Sequence, residues 1–422
     1  MASARDSEFP TDLAGFGYEF KNGKMRNIKT GGPFEFVVRE GDQAYNQMHY
    51  EALGEVITEE VYKLLESDCN LRRFLVPSDA SRNDPSTFIF LSDGALDNPD
   101  RLLVLIHGSG VVRAGQWARR LIINDSLDWG TQIPFIKKAQ EIGYGILVMN
   151  TNDNKRKVAG SQKMKIIKGS GSPEEHACYV WKKFVHKAKA RHIALIAHSY
   201  GGCVTTNLFR SEKKDFLKRV FAVAMTDSVH YYPNPDAFKA LVKVSRNWVS
   251  SSLPLDTQLE NRHGDIARVS AGVHVHEKTS YSSIESVFKF LEERYNAVTK
   301  RAGKEKEEES CSQEEHLDRK MSIGSDCGTV DDACKSKVSA PGVHQMSDSE
   351  TEGDQVEKNG NDEKGGVKEN TLERAMTIEK QEALGGGGAA GEKEEAAGGS
   401  GDGAGTTVSE GTLERGMSVS ED

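Results

Sequence analysis

The sequence predicts an α/β fold, with a mostly parallel sheet flanked by helices, for the larger part of its 422 residues. Four continuously apolar runs indicate strands that are buried on both faces of a sheet. Helical patterns lie between these runs, and strands that alternate with helices are joined by right-handed crossovers into a parallel sheet. The four runs are 102–106, 145–149, 193–197 and 220–225, and the helices begin near Ile133, at Ser172-Pro173 and after Gly201-Gly202.

Residues 11–100 are expected to form an N-terminal extension made of a hairpin, a helix and edge strands. The pair Asn22-Gly23 is typical of a type I′ turn and predicts a hairpin over 17–28. Apolar residues at helical spacing predict an amphipathic helix over 45–65. The other predicted elements are strands at 34–37, 74–76, 87–91 and 268–275 and a helix at 283–295.

The last part of the chain differs in composition from the rest. Residues 301–422 hold 14 Lys and Arg against 29 Asp and Glu, a net charge of −15, and lack Phe, Trp and Tyr. The first 300 residues carry a net charge of +6. A highly charged segment without aromatic residues cannot bury enough apolar surface to offset its ordering entropy. We therefore expect disordered residues at 1–10, the extension at 11–100, an α/β core at 101–300 and a disordered acidic, Gly-rich tail at 301–422.

Several classes of protein are excluded by what the sequence lacks. No run of about 18 apolar residues is present, so we expect no membrane-spanning segment. The start lacks the apolar run of a secretory signal, and six cysteines without a C-x-x-C pair predict neither a disulfide framework nor a zinc ribbon. A reduced intracellular protein is therefore expected.

The polar loop at 151–171 carries five Lys and Arg between Lys155 and Lys165. We interpret it as a solvated connection, with a partner or nucleic-acid contact as the alternative. The mild positive charge of the first 300 residues gives little basis for tight nucleic-acid binding.

The string Ala-His-Ser-Tyr-Gly-Gly at 197–202 follows an apolar strand and precedes a helix. It is typical of a nucleophile elbow, with Ala in place of the first Gly, and would project the Ser199 hydroxyl above the sheet.

The string His-Gly-Ser-Gly at 107–110 ends the first buried strand. We expect backbone N–H groups of Gly108, Ser109 and Tyr200 to form an oxyanion hole. A phosphate-binding loop is discounted, because the string lacks the Gly-Lys-Ser/Thr ending and no G-x-G-x-x-G is present.

The remaining members of a catalytic triad are expected downstream. Asp227 follows the next strand and His276 follows the last one, and the order Ser, Asp, His is that of α/β-hydrolases. Ser199 would attack a carbonyl, His276 would take its proton and Asp227 would hold the imidazole tautomer. The alternatives are Asp256 and Asp265 for the acid and His274, on the same side of a strand as His276, for the base. His107 and His198 are interpreted as local hydrogen-bonding residues. Neither a metal nor a cofactor is expected, because the histidine spacing matches no zinc signature.

Longer strings of the sequence carry a family resemblance. They are Leu105–Asn124, Gly171–Ala177, Ala197–Gly202, Thr226–His230 and Asn247–Ser252, with Leu53–Thr58 in the predicted N-terminal helix. The chain resembles the Arb-two domain family over about 11–296, and within that family its animal cotranscriptional-regulator branch. The family takes its name from an Argonaute-binding protein of the small-RNA silencing machinery.

The resemblance implies an α/β-hydrolase-like fold with Ser199 at the position of the nucleophile. It also implies action in the nucleus and cytoplasm through an Argonaute-type protein and chromatin and splicing factors. Small-RNA association would then be indirect, and heterochromatin formation and alternative splicing would be the processes affected. No membrane partner is expected.

The tail contains three copies of a Leu-acid-Arg-x-Met-Ser/Thr-aliphatic repeat, beginning at Leu317, Leu372 and Leu413. Basophilic kinases recognise Leu five residues and Arg three residues before the acceptor hydroxyl. The predicted phosphorylation sites are therefore Ser322, Thr377 and Ser418. Repeat expansion without function is the alternative.

Two functions from different classes follow from these observations. The first is an adaptor that binds Argonaute and chromatin or splicing proteins, which the family resemblance favours. The second is an intracellular serine hydrolase acting on an ester or acyl group, which the triad-like set favours. The hypothesis of direct RNA binding through the Lys/Arg loop has less support, since no aromatic stacking motif accompanies the loop.

Overall fold

A computed structural model describes residues 9–157, 163–231 and 234–301 of the chain. The tail, with its three predicted phosphorylation sites, lies outside the described residues apart from Arg301, and so do residues 1–8. The strands are β1 Tyr18–Lys21, β2 Lys24–Asn27, β3 Leu71–Val76, β4 Thr87–Ser92, β5 Arg101–Ile106, β6 Gly145–Val148, β7 Lys155–Lys157, β8 Met164–Ile166, β9 His192–His198, β10 Val220–Thr226, β11 Ser245–Val249 and β12 Ala267–Ser270. The helices are α1 Gln43–Ser67, α2 Arg119–Asn124, α3 Leu127–Gly130, α4 Ile133–Glu141, α5 Pro173–Lys183, α6 Gly201–Ser211, α7 Lys213–Arg219, α8 Pro235–Val244, α9 Thr279–Ser282 and α10 at 284–301.

Eight strands form one central sheet in the order β12-β11-β10-β9-β5-β6-β4-β3. β4 is antiparallel to both of its neighbours, and the pairs from β6 through β12 are all parallel. Numbered along the chain, the sheet order is 1-2-4-3-5-6-7-8 with the second strand reversed. This is the α/β-hydrolase arrangement, and it confirms the predicted fold class.

Both faces of the sheet are buried. Leu103 and Leu105 of β5 belong to a cluster that includes residues of α1 and α10, whereas Leu102 and Val104 belong to a cluster on the other face with residues of α5 and α6. Alternate residues of a strand point to opposite faces, so a strand covered on both sides must be apolar throughout. This is why the four predicted strands read as continuous apolar runs.

The N-terminal extension contains the predicted hairpin and helix. β1 and β2 pair through the turn at Asn22 and Gly23, whose φ angles are +51° and +72°. Asp42 caps α1 by accepting from the N–H of Tyr45 at 2.9 Å. The apolar face of α1 is fully buried, and its members include Leu53, Ile57, Val61 and Leu65.

The two edges of the sheet differ in what lies beside them. β3 forms one edge, and it carries Arg72, paired with Asp93, and Arg73, paired with Glu66. β12 forms the other edge, where the segment 256–259 runs alongside. In that segment the Thr257 carbonyl accepts from the Ser270 N–H at 2.9 Å, and the Leu259 N–H donates to the Arg268 carbonyl at 3.0 Å.

Two predicted strands were wrong in whole or in part. Residues 34–37 form no strand, because the Phe34 ring packs on Tyr18 and Tyr50, 5.7 and 5.9 Å between centroids, without a backbone partner. The strand predicted at 268–275 ends at Ser270, so His274 and His276 do not share a strand face. Gly272 follows in the left-handed region, with a φ of +71°, which turns the chain out of the sheet.

The loop at 151–171 was interpreted as a solvated connection, and the side chains of its strands β7 and β8 are mostly exposed. The antiparallel pairing of these two short strands was not predicted. Asp153 at the base of this hairpin is buried, accepts from the Thr87 hydroxyl at 2.5 Å and pairs with Arg156. β7 is Lys-Arg-Lys and β8 is Met-Lys-Ile, and strands of three residues are too short to show an apolar period, which explains why the pattern did not predict them.

No helix within the described ranges is long and apolar enough to cross a membrane.

Candidate active site

Ser199 occupies the sharp turn between β9 and α6. Its φ of +52° lies in the left-handed region, where a non-glycine residue is held only by surrounding contacts. The Ser199 N–H donates to the Thr226 carbonyl at 3.1 Å. The Ser199 carbonyl accepts from the Val229 N–H at 3.1 Å and from the Ser228 hydroxyl at 3.0 Å. The chain that follows β10 thus fixes the backbone of the turn.

Two glycines let α6 begin close to its neighbours. A Cβ on Gly201 would lie 2.9 Å from the carbonyl oxygen of Ile106. A Cβ on Gly202 would lie 1.9 Å from the Ser228 hydroxyl oxygen and 2.5 Å from the Val229 carbonyl oxygen. All three distances are shorter than side-chain carbons tolerate, so the Gly-Gly pair is a steric requirement of the elbow.

Asp227 and His276 are in direct contact. His276 Nδ1 and Asp227 Oδ2 are 2.8 Å apart, and both side chains are 15% exposed. Burial acts to raise the pKa of Asp227, but hydrogen bonding and charge from His276, together with hydrogen bonds from Ser250, outweigh it and lower the pKa to about 2. Asp227 is therefore ionised at neutral pH and oriented against the imidazole.

His276 Nε2 faces the interior with no hydrogen-bond partner among the described residues. The hydrogen bond from the Ser199 hydroxyl to this nitrogen, which a working triad uses, is not formed in this structure. Catalytic hydrogen bonds in ligand-free sites are often long and tighten on substrate binding. Asp227 and His276 are thus paired, whereas Ser199 and His276 are not hydrogen-bonded in this structure.

The two other histidines near the elbow make local contacts, as predicted. His107 Nδ1 lies 2.8 Å from the Gly108 carbonyl, and His198 Nδ1 lies 2.9 Å from the Thr226 carbonyl. Burial lowers the pKa of His107 to about 4 and that of His198 to about 3, and the charge of His276 adds to the second effect. The His198 and His276 rings lie 4.8 Å apart between centroids. His198 is thus a neutral neighbour of the base.

The loop after β5 lies against the nucleophile. A Cβ on Gly108 would be 3.0 Å from Ser199 Cβ and 3.5 Å from its Oγ. Among the described residues, the Gly108 and Ser109 N–H groups have no acceptor. The Asn152 side chain donates to the carbonyls of Gly108, Gly110 and Val112 at 2.9, 3.1 and 3.2 Å. The loop is therefore held through its carbonyls, with Gly108 packed against Ser199.

The alternative acids are engaged elsewhere. Asp256 accepts from Trp248 Nε1 at 2.8 Å and from the Ser286 hydroxyl at 2.5 Å. Asp265 pairs with His230 at 2.8 Å. His274, the alternative base, is exposed. Of the candidates left open by the sequence, Asp227 and His276 are the two that are in contact.

Three residues that support the site were not predicted from the sequence. Ser250 hydrogen-bonds Asp227, and Asn152 holds the loop described above. Asn247 Oδ1 accepts from the Ser228 N–H at 3.1 Å, while its Nδ2 donates to the Ser228 carbonyl at 2.9 Å. Asn247 and Ser250 both lie in the string 247–252, which carries part of the family resemblance. That resemblance was the one sequence signal that could have pointed to these two residues.

The residues gathered here are of the types used in acyl transfer. Within the ranges that the structure describes, no group of three His, Cys, Asp or Glu side chains is gathered to hold a metal ion. A serine hydroxyl on a left-handed turn, next to a hydrogen-bonded Asp and His, is the set of groups on which serine hydrolases rely.

These features define the chain as an α/β-hydrolase-like protein with a nucleophile elbow. The sequence profile of the Arb2 domain matches residues 9–255, and the chain belongs to that family. It is 46% identical over 342 residues to cotranscriptional regulator ARB2A of Mus musculus, which covers 69% of this chain and 82% of the mouse protein. The identity to the Homo sapiens ARB2A protein is also 46%, over 343 residues, with the same coverage.

A solved structure, that of the histone deacetylase Clr3, shows a partial likeness. The TM-score is 0.38 with 15% identity, and the match covers 57% of this chain and 39% of that chain. The fold assignment rests on the strand order and not on this likeness.

Proposed function

We propose that the protein is a cotranscriptional regulator that acts in the nucleus through partner proteins. The observation that carries the proposal is the 46% identity to mouse ARB2A over most of both chains. An Argonaute-type protein, chromatin proteins and splicing factors are the partners, with small RNA associated indirectly and a further pool of the protein in the cytoplasm.

The test is deletion of the gene followed by rescue. Deletion should change alternative splicing and nascent transcription from heterochromatic regions, and wild-type protein should reverse both changes. Ser199→Ala should rescue as well as wild type, since the proposal does not require catalysis. Unchanged transcripts after deletion would contradict it, and rescue by wild type but not by Ser199→Ala would make the hydrolase activity the function.

Serine hydrolysis of an ester or acyl substrate is the second candidate. The contact between Asp227 and His276, beside a serine in the left-handed conformation, is the observation that favours it. Ser199 Oγ would attack the carbonyl as its proton passes to His276 Nε2, and the Gly108, Ser109 and Tyr200 N–H groups would bind the oxyanion. His276 would then protonate the leaving group, and water would release the acyl group from Ser199.

A fluorophosphonate probe tests this candidate directly. Wild-type protein should be labelled, and Ser199→Ala should lose all labelling, because the probe bonds only to an activated serine hydroxyl. His276→Ala should reduce the labelling rate by about 100-fold or more. Ser282→Ala, outside the site, serves as the matched control and should label like wild type. If the wild-type protein is folded, as judged by a normal thermal melt, and is still not labelled, the hydrolase candidate is wrong.

A further inference from the structure

A basic pocket of about 500 Å³ lies at the amino ends of β9 and β10. It is formed by His192 and Val220 at the strand starts and by residues of α7, α8 and α10. Its cationic lining residues are Arg191, Lys218, Arg219, Lys243, Arg294 and Arg301. No Asp or Glu of the described residues lines it. We refer to this feature as the basic pocket.

Most of this positive charge is not compensated. Arg219 is engaged, since it bonds Asp215 and the carbonyls of the chain before β9. By contrast, no described carboxylate lies within 4.0 Å of four of the other cations, which are Arg191, Lys218, Lys243 and Arg294. Several cations around one concavity raise the local positive potential and favour an anionic occupant.

The chemistry of the lining favours an acidic peptide over a nucleic acid. Leu217, which is 50% exposed, lines the pocket together with Val244 and Val298. The Phe209 and Phe221 rings are 1% and 4% exposed, so they offer no stacking surface for bases. A concave site with cations and aliphatic side chains matches a short segment that carries several carboxylates.

The chain itself carries such a segment close by. Arg294, Val298 and Arg301 lie at helical spacing on α10 and line the pocket, and the chain continues directly from Arg301. Residues 305–315 hold six Glu and one Lys, a net charge of −5. A tether this short gives an effective concentration in the millimolar range. We infer that the acidic segment 305–315 docks intramolecularly in the basic pocket.

The docking site is remote from the elbow. His192 and Val220 begin the strands that end at His198 and Thr226, directly before Ser199 and Asp227. Seven residues of strand span about 20 Å. The segment therefore occupies the opposite edge of the sheet and leaves the candidate active site and the three tail repeats accessible.

Hydrogen exchange of the full chain at low ionic strength tests the inference. Amides of 305–315 should exchange at least about threefold more slowly in wild type than in Lys218→Glu/Lys243→Glu, because the reversed charges expel the segment. High salt should remove the difference by screening. The matched control is Lys21→Glu/Lys29→Glu, two exposed lysines outside the pocket, which should keep the wild-type protection.

A charge swap provides the second measurement. Adding Glu307→Lys/Glu308→Lys to Lys218→Glu/Lys243→Glu should restore protection of 305–315, and all variants should melt at the wild-type temperature. Zero-length carbodiimide cross-links should join Lys218 or Lys243 to 305–315 in wild type.

Equal exchange in wild type and in the pocket variant would overturn the inference. So would cross-links spread evenly over the acids of 317–422. If added pyrophosphate or single-stranded RNA protects α7 and α8 while 305–315 exchanges freely, the pocket takes an external anion and the inference is wrong.

Discussion

Asp227 is held ionised by a small number of hydrogen bonds in a buried setting. Its N–H donates to the Trp248 carbonyl at 2.7 Å, and its carboxylate is bonded by His276 and Ser250. The pKa of about 2 in the folded protein lies below the value of about 3.9 expected in the unfolded chain. The charged form therefore contributes stability that is present above about pH 4 and is lost as the pH falls through 2.

Asp227→Asn should lower the free energy of unfolding by about 2 kcal/mol at pH 7. The difference from wild type should shrink as the pH falls from 4 to 2, because the wild-type carboxylate is then protonated. Urea unfolding at pH 7, 4 and 2.5 measures it. Glu292→Gln, an exposed carboxylate on α10, should stay within about 0.5 kcal/mol of wild type throughout. A constant difference across this pH range would contradict the assignment.

The sequence identified the residues that stand at strand ends and missed those that reach them from elsewhere. Ser199 and Asp227 directly follow apolar runs, so their position at one edge of the sheet could be predicted. The contact of Ser250 with Asp227 depends on how β11 ends, and β11 was not predicted. The His198 and His276 rings are 78 positions apart along the chain, and no local pattern encodes their approach.

The elbow shows how one element constrains another. α6 begins against the chain that follows β10, and a Cβ on Gly202 would lie 2.5 Å from the Val229 carbonyl oxygen of that chain. The Asn247 amide clamps Ser228 on that same chain from β11. The chain segments at the ends of β9, β10 and β11 are therefore held together around Ser199 by close packing and hydrogen bonds.

Gly202→Ala should destabilise the protein by about 2 kcal/mol, because the added methyl group meets a backbone carbonyl that cannot move freely. It should also abolish any fluorophosphonate labelling by displacing the turn. Thermal melts together with the labelling assay measure both effects. Arg210→Ala, at an exposed position of α6, should leave the melting temperature and the labelling unchanged. If Gly202→Ala has the melting temperature of wild type, the turn adjusts to the added methyl group without loss of stability and the prediction is wrong.

The prediction of helices and strands from the sequence succeeded where burial of one face imposes a regular spacing of apolar residues. α1 spans 43–67 against a predicted 45–65, and α10 spans 284–301 against a predicted 283–295. Prediction failed at β7 and β8, whose three-residue strands are stabilised by the buried Asp153 and not by an apolar pattern. It failed at 34–37 because aromatic residues bury their rings equally well from an irregular segment.

At the scale of the whole molecule, the three tail repeats remain a hypothesis from the sequence, because they lie outside the described residues. We predict that a basophilic kinase adds up to three phosphates to the full chain, at Ser322, Thr377 and Ser418. Each phosphate adds about −1.5 to −2 charges, which alters partner binding rather than folding. Mass spectrometry after kinase treatment measures the sites.

The triple variant Ser322→Ala/Thr377→Ala/Ser418→Ala is the control for this prediction and should accept none of these phosphates. The melting temperature of the treated protein should match that of the untreated one. Phosphate on other residues only would contradict the repeat hypothesis.

The two edges of the sheet differ in whether an extended peptide could pair with them by strand addition. At β12 the outer hydrogen-bonding positions are already taken by the protein's own segment 256–259. Within the described residues, β3 is the uncovered edge, and its Arg72 side chain is 72% exposed. Arg72 and Arg73 are each paired with a carboxylate of their own chain, Asp93 and Glu66, so an incoming strand meets ion pairs at this edge and not bare cations. Charged side chains along an exposed edge strand disfavour edge-to-edge association of two copies.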